Sequence, residues 1–190
     1  MPPPYAAIIT SLWVVWVAYW AVSAVALVKP TLRTEGVESR LAYSLPLGVA
    51  AWLMFGGQVP EILDGRFVPD AAWVAILASV LTAAGLSFSV WARIVLGRNW
   101  SGMVSVKQGH ELVERGPYRL VRHPIYAGLI LALLGTALAI GEWRGLLAVA
   151  LAVGSFWYKL RIEERLMRET FGRGYDEYAR RVKALLPFVI

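Results

Sequence analysis

From residue 5 to residue 28 the chain carries no charge, and this run of about twenty-four residues constrains its fold more than any other feature. A bilayer core about 30 Å thick is crossed by about 20 apolar residues wound as a helix, because a helix satisfies its own peptide N–H and C=O groups away from water. The opening Met1-Pro2-Pro3-Pro4 lacks Lys and Arg, and the apolar run exceeds that of a cleaved signal peptide, so it is read as a span. Further apolar stretches occupy residues 41–59, interrupted by Pro46 and Gly56-Gly57, then 71–96, 125–140 and 145–158. The last two are each near fifteen residues and separated by Gly141-Glu142-Trp143-Arg144, which predicts a tight helical hairpin with little tilt. Arg93, near the end of the third stretch, is placed to snorkel to the interface. With 58% hydrophobic residues, 17% charged residues and nine tryptophans in 190 positions, the expectation is an all-α integral membrane protein with about five transmembrane helices.

Charge placement orients that layout. Seventeen of the nineteen basic residues lie on one side, sixteen in the segments after the first, third and fifth spans and Arg93 at the end of the third, leaving Arg66 and Arg144 on the opposite side. The positive-inside rule then puts the N-terminus outside and the C-terminus in the cytoplasm, at a plasma or inner membrane in a bacterium or the endoplasmic reticulum in a eukaryote. The net charge of +6 is accounted for by cytoplasmic loops facing anionic headgroups, so nucleic acid is not an expected partner. There is no cysteine, hence no disulfide, thiol nucleophile or thiolate metal site, and two histidines make a poor metal site. No internal repeat is evident. The chain reads as a single membrane domain, with spanning helices over 1–97 and a more polar half over 98–190; it carries no reading of oligomeric state.

The polar half holds the chemistry. Residues 107–118, beginning Lys107-Gln108-Gly109-His110, have too much Gly, Pro and charge for a span, and Gly116-Pro117 is a turn signal. Pro124 disfavours helix at His123 and suits the first helical position itself, which sets His123 at the N-terminal mouth of the fourth span, where outward N–H groups favour anions such as a carboxylate. Residues 159–170 read as an amphipathic helix in which Lys159 and Glu163, and Glu164 and Arg168, lie four apart. On spacing alone this is a solvated interfacial helix. Gly172 and Gly174 break it, and residues 175–186 form another short helix ended by Pro187. Trp13, Trp16 and Trp20 share one face of the first span and read as packing or lipid contacts. Tyr175 and Tyr178 read as interfacial aromatics. Arg122 suits a lipid phosphate or a cofactor carboxylate.

The ordered set His110-x-Leu112-Val113-x-x-Gly116-x-Tyr118-x-x-x-Arg122-His123-Pro124-x-Tyr126-x-Gly128, followed by Glu163-Glu164, Phe171-Gly172, Tyr175, Tyr178, Val182 and Pro187, resembles the isoprenylcysteine carboxyl methyltransferase family and its phospholipid methyltransferase relatives. The resemblance covers roughly residues 99–187. It implies a membrane methyltransferase that binds S-adenosylmethionine with this loop and the C-terminal helices at the cytosolic face; no strand followed by a glycine-rich turn supports a soluble-type nucleotide fold. By motif position, Lys107, Gln108, His110, Leu112, Val113, Gly116 and Tyr118 form one side of the cofactor site. Arg122, His123, Pro124 and Tyr126, with Glu163 and Glu164, form the other. Relatives often carry an arginine one turn before the glutamate that matches Glu163. This chain has Lys159 there and Arg161 two residues on, which points either to Arg161 as the slightly favoured cation, because a guanidinium offers a carboxylate a planar fork, or to a substrate other than a carboxylate. The implied acceptor is a lipid-like or prenylated molecule reaching the site sideways from the bilayer, with membrane lipids as neighbours. A nicotinamide-dependent membrane reductase of sterol-reductase type, a phospholipid or small-thiol methyltransferase, and a non-enzymatic lipid-binding protein are the alternative readings.

Overall fold

A computed structural model describes residues 3–26, 31–57, 59–101, 104–107, 109 and 111–187. The elements in chain order are α1 (Pro3–Ala26), β1 (Thr31–Thr34), α2 (Val37–Phe55), α3 (Ala72–Leu96), β2 (Ser105–Lys107), α4 (Pro124–Ile140), α5 (Trp143–Phe171) and α6 (Arg173–Arg181), with single 3-10 turns at Glu61–Leu63, Gly97–Asn99 and Gly116–Arg119. The protein is an all-α integral membrane protein whose only sheet among the described residues is the short antiparallel β1–β2 ladder. Three helices, α1, α3 and α5, are long and apolar enough to cross a bilayer by length and composition, and α4 is a shorter apolar helix. α2 corresponds to the second apolar stretch but starts earlier and ends at Phe55, with Pro46 accommodated inside it.

α3 and α4 meet backbone to backbone, and their small residues explain why. Gly85 lies against the backbone of Gly128 and Ala132, and a side chain at Gly128 would meet the Ser89 backbone N at 2.9 Å. Without a hydrophobic force between helices in lipid, backbone-to-backbone approach over glycine supplies the attraction by dispersion. α2 packs on α5 through Ala50, Leu53 and Met54 against Ala148, Val149, Ala152 and Phe156. α1 rests on α3 and α4 and is pinned in rotation by two indole N–H donors, Trp16 to the Ser89 hydroxyl at 2.8 Å and Trp13 to the Thr136 hydroxyl at 3.0 Å. Its remaining valines, Val14, Val15, Val17, Val22 and Val25, face outward as lipid-contacting residues do.

Several sequence expectations change. α4 and α5 form the expected hairpin, but Trp143 and Arg144 belong to α5, so only Gly141 and Glu142 connect them, with Gly141 at φ 73°. The fifth span and the amphipathic segment after it are one helix of 29 residues, because Phe156, Leu160 and Glu164 continue a buried stripe at four-residue spacing with no breaker between. At about 1.5 Å per residue that helix is about 43 Å long, more than the about 30 Å of a bilayer core; its apolar part, 143–158, accounts for about 24 Å and residues 159–171 continue it. Gly172, at φ 53°, ends α5, whereas Gly174 lies inside α6. α6 stops at Arg181 instead of running to residue 186, because the tail is drawn into an extended pairing with the segment before α4. Arg93 does not snorkel. It is 1% exposed and donates to the Ser23 carbonyl of α1 at 2.9 Å and the Gly97 carbonyl at 2.8 Å, two negative helix ends that a cation stabilises.

Candidate active site

His123 owes its place to its backbone. With φ −121° and ψ 62° it is the non-helical residue before Pro124, as proline sterics dictate. The tail fixes it further: the Arg122 N–H donates to the Lys183 carbonyl at 2.8 Å and the His123 N–H to the Ala184 carbonyl at 2.9 Å. The imidazole then meets both neighbouring carboxylates of α5, Nδ1 lying 3.5 Å from Glu163 Oε2 and Nε2 3.2 Å from Glu164 Oε1.

The two glutamates divide. Glu164 is 5% exposed and turns away from the cavity. It accepts from Arg122 Nε at 2.9 Å, from Arg122 Nη2, and from Arg168 Nη2 at 3.1 Å. Arg122 also donates through Nη1 to the Ala179 and Val182 carbonyls, so its guanidinium joins α5, α6 and the tail and is committed within the protein. Glu163, with 24% of its side chain exposed, lines the cavity, where the Tyr126 hydroxyl donates to its Oε1 at 2.5 Å. The rings of His123, Tyr126 and Phe156 stack in one column, with centroids 5.6 and 5.0 Å apart and planes within 10°.

The electrostatics follow from this packing. Burial disfavours the charged imidazole, yet hydrogen bonds to Glu163 and Glu164 and their negative charge outweigh it, raising the His123 pKa above its ordinary 6.5. Burial likewise works against Glu164, and the hydrogen bonds from His123 and Arg122 reverse it, bringing its pKa down to about 2. For Glu163, burial is outweighed by His123, Lys159 and Tyr126, and its pKa is also lowered. The imidazole and the two carboxylates thus favour each other's charged forms.

A cavity of about 460 Å³ opens in front of Glu163. Of the expected site residues, Leu112, Val113, Tyr118, Arg122, His123, Pro124, Tyr126, Lys159 and Glu163 border it. Lys159 places its ammonium 4.9 Å from the ring centre of Tyr43 and 5.8 Å from that of Tyr126. Arg161, the cation favoured from the sequence, is outside: its guanidinium lies 4.9 Å over Trp157 on the exposed face of α5. Two residues along a helix is about 200° around it, whereas the four between Lys159 and Glu163 bring both to one face. Glu164 is likewise absent from the cavity wall, and Gly116 serves a turn at φ 59°, where a Cβ would press on Val95 at 3.1 Å. Lys107 is the last residue of β2; Gln108 and His110 lie outside the described residues.

Tyr175 and Tyr178 are not interfacial aromatics. They are 3% and 2% exposed, line the cavity floor, and the Tyr178 hydroxyl donates to the Tyr118 carbonyl at 2.7 Å. The wall also takes residues the motif does not mark, Trp16 and Trp20 of α1, Trp100, Glu111, Phe156 and Met167. Trp16 and Trp20 stack at 4.5 Å, and Trp100 meets Trp20 edge-on at 5.5 Å. Their shared face was visible in the sequence as packing; that it also walls the cavity depends on α1 lying against α3, which periodicity does not reveal.

The profile of the phospholipid methyltransferase family matches residues 73–174, the segment that builds the cavity from α3 to the start of α6. The chain is similar to protein-S-isoprenylcysteine O-methyltransferase B of Arabidopsis thaliana, 30% identical over 85% of this chain and 80% of that protein. It is 31% identical to a probable protein-S-isoprenylcysteine O-methyltransferase of Oryza sativa subsp. indica over 62% of this chain and 63% of the relative. It is also 33% identical to the cobalt-zinc-cadmium resistance protein CzcN of Cupriavidus metallidurans over 67% of this chain and 57% of that one. The chain thus spans less than two thirds of the length of the last two.

Proposed function

From the premise that the chain belongs to the phospholipid methyltransferase family, which includes the isoprenylcysteine methyltransferases, we propose that it transfers a methyl group from S-adenosylmethionine to the carboxylate of a lipid-like acceptor of the prenyl-cysteine type. The observation that carries this reading is the placing of Lys159 and Glu163 one turn apart on α5, both facing one cavity, with Glu163 held between His123 and Tyr126.

The residues fit the methyl donor. Its ammonium suits Glu163, whose two oxygens are oriented by Tyr126 and His123 and keep lone pairs toward the cavity. Its cationic sulfonium suits the aromatic faces of the wall, and its carboxylate suits the mouth of α4 beside His123. When bound, the donor supplies a methyl on a good leaving group: the carbon–sulfur bond breaks as the carbon–oxygen bond forms, and sulfur keeps the electron pair. A carboxylate nucleophile needs no general base, so the protein's work is alignment, which supplies up to about 7 to 11 kcal/mol of barrier reduction. Lys159 gives the acceptor carboxylate a point charge with three donors instead of the planar fork of an arginine, leaving the second oxygen free to attack. Phe156 and Leu129 also line the cavity and supply apolar surface for the acceptor's hydrocarbon tail.

For the membrane we propose five spans, the N-terminus outside, and the site at the cytoplasmic face. This is supported by the gathering of the two exceptional arginines at the end away from Glu163, where Arg66 pairs with Glu142 through the backbone and Arg144 Nη1 donates to the Gly56 carbonyl at 2.9 Å.

The test is ligand stabilisation together with turnover. Protein in lipid nanodiscs is expected to gain thermal stability from S-adenosylmethionine and not from NADPH. Lys159→Met is expected to raise the KM for an S-prenyl-cysteine acceptor at least tenfold while binding of the methyl donor stays within threefold. Stabilisation by NADPH alone, or an acceptor KM indifferent to Lys159→Met, would overturn the proposal.

A further inference from the structure

We propose that Glu35, in the connection between α1 and α2, is a positioning residue for methyl transfer; the proposal rests on the methyltransferase reading above. Glu35 grips the cavity wall in both directions. Its N–H donates to the Val104 carbonyl at 3.0 Å, and the Val104 N–H donates to its Oε1 at 3.1 Å. Val104, 2% exposed, lines the cavity. Next to it the ladder Thr31–Lys107, Arg33–Val106 and Thr34–Ser105, irregular between Thr31 and Arg33, joins the same wall segment to the first half of the chain. The same Oε1 accepts from the Tyr43 hydroxyl, and Tyr43 presents its ring to the Lys159 ammonium at 4.9 Å. One carboxylate oxygen therefore fixes both Val104 of the cavity wall and the aromatic face that seats its cation.

Two further observations separate this from an ordinary loop contact. Lys159 is flanked by two tyrosines, Tyr43 and Tyr126, and each donates its hydroxyl to a glutamate, Glu35 on one side and Glu163 on the other. The height of the ammonium above Glu163 is thus set jointly by both pairs. In addition, Glu35 Oε2 is buried without a hydrogen-bond partner among the described residues. An unpartnered buried oxygen costs stability, and a residue serving the fold alone would have little reason to retain it.

The test compares Glu35→Ala, Glu35→Asp, Glu35→Gln and Tyr43→Phe in nanodiscs, reading hydrogen–deuterium exchange, the Kd for S-adenosylmethionine, and kcat and KM with an S-prenyl-cysteine probe. Glu35→Ala is expected to speed exchange in residues 100–107 at least tenfold with α4 unchanged, to weaken donor binding at least fivefold and to lower kcat at least tenfold. Glu35→Gln keeps an acceptor oxygen at the same reach and is expected to stay within threefold of the native protein. Glu35→Asp, one methylene shorter, is expected to behave like the alanine variant. Tyr43→Phe keeps the ring and drops the hydroxyl, and is expected to raise acceptor KM without changing donor Kd. Unchanged exchange at 100–107 and unchanged donor Kd in Glu35→Ala overturn the proposal. So does a loss of protection spread over all helices that Glu35→Gln shares, since Glu35 would then be a folding residue only. Exchange is read without turnover: a native protein that methylates nothing counts against the function proposed above, and the exchange result still decides Glu35.

Discussion

Glu164 accepts from Arg122, His123 and Arg168 while 5% exposed, and such a buried network has a definite pH signature. Its folded pKa of about 2 lies below its ordinary 4.5, so its contribution is fully present above 4.5 and is lost as pH falls toward 2. His123 is raised above its ordinary 6.5, so its contribution is fully present below 6.5 and is lost as pH climbs through the raised value. Thermal stability in nanodiscs is therefore expected to peak between these limits and fall on both sides. Glu164→Gln is expected to flatten the acid limb and to cost about 3 kcal/mol, since it strands the Arg122 charge; an acid limb identical to the native one would refute the assignment. In the cavity, His123→Ala is expected to slow methyl transfer at least tenfold, about 1.4 kcal/mol, whereas Arg161→Ala stays within twofold because its guanidinium lies over Trp157. Initial rates with a labelled methyl donor check both. The residues around His123 and Glu163 were legible because Pro124 imposes a helix start and the motif is ordered. Helical angle alone separates Arg161 from the Lys159–Glu163 face, whatever the chemical merit of a guanidinium for a carboxylate. The burial of Tyr175 and Tyr178 was not legible, because an interfacial tyrosine and a cavity tyrosine have the same local sequence.

The helices were legible as elements and not as pairs. Apolar length located α1 and α3, since crossing lipid is a requirement each segment meets alone, and it marked α4 as a shorter apolar helix. That α3 meets α4 backbone to backbone depends on Gly85 and Gly128 meeting at one level, and a glycine counted for hydropathy says nothing of the backbone it touches. Gly128→Leu is accordingly expected to lower stability by about 2 to 3 kcal/mol through overpacking, read as a drop in melting temperature. The same change at Gly154, where an added Cβ meets nothing within 4 Å, is expected to have little effect. Equal effects at the two glycines would discount backbone contact as the source of α3–α4 adhesion. The β1–β2 ladder had no readable signal, because strands of four and three residues are shorter than any period that marks them.

At the scale of the whole molecule the first half is more than a membrane anchor: α1 supplies Trp16 and Trp20 to the cavity, and the α1–α2 connection holds Val104 of its wall. The chain has no cysteine, so topology can be probed with single introduced thiols. Arg66→Cys is expected to react with an impermeant maleimide from the outer face and Arg165→Cys only after permeabilisation; the reverse pattern would invert the proposed orientation. The most direct test of the central claim follows labelled methyl from S-adenosylmethionine into an S-prenyl-cysteine acceptor in nanodiscs. The account predicts label on the acceptor as a base-labile methyl ester, formed with saturation in both substrates and abolished by Glu163→Gln. Folded protein that binds the methyl donor yet leaves no base-labile label on the acceptor, or labels it equally with Glu163→Gln, would contradict it.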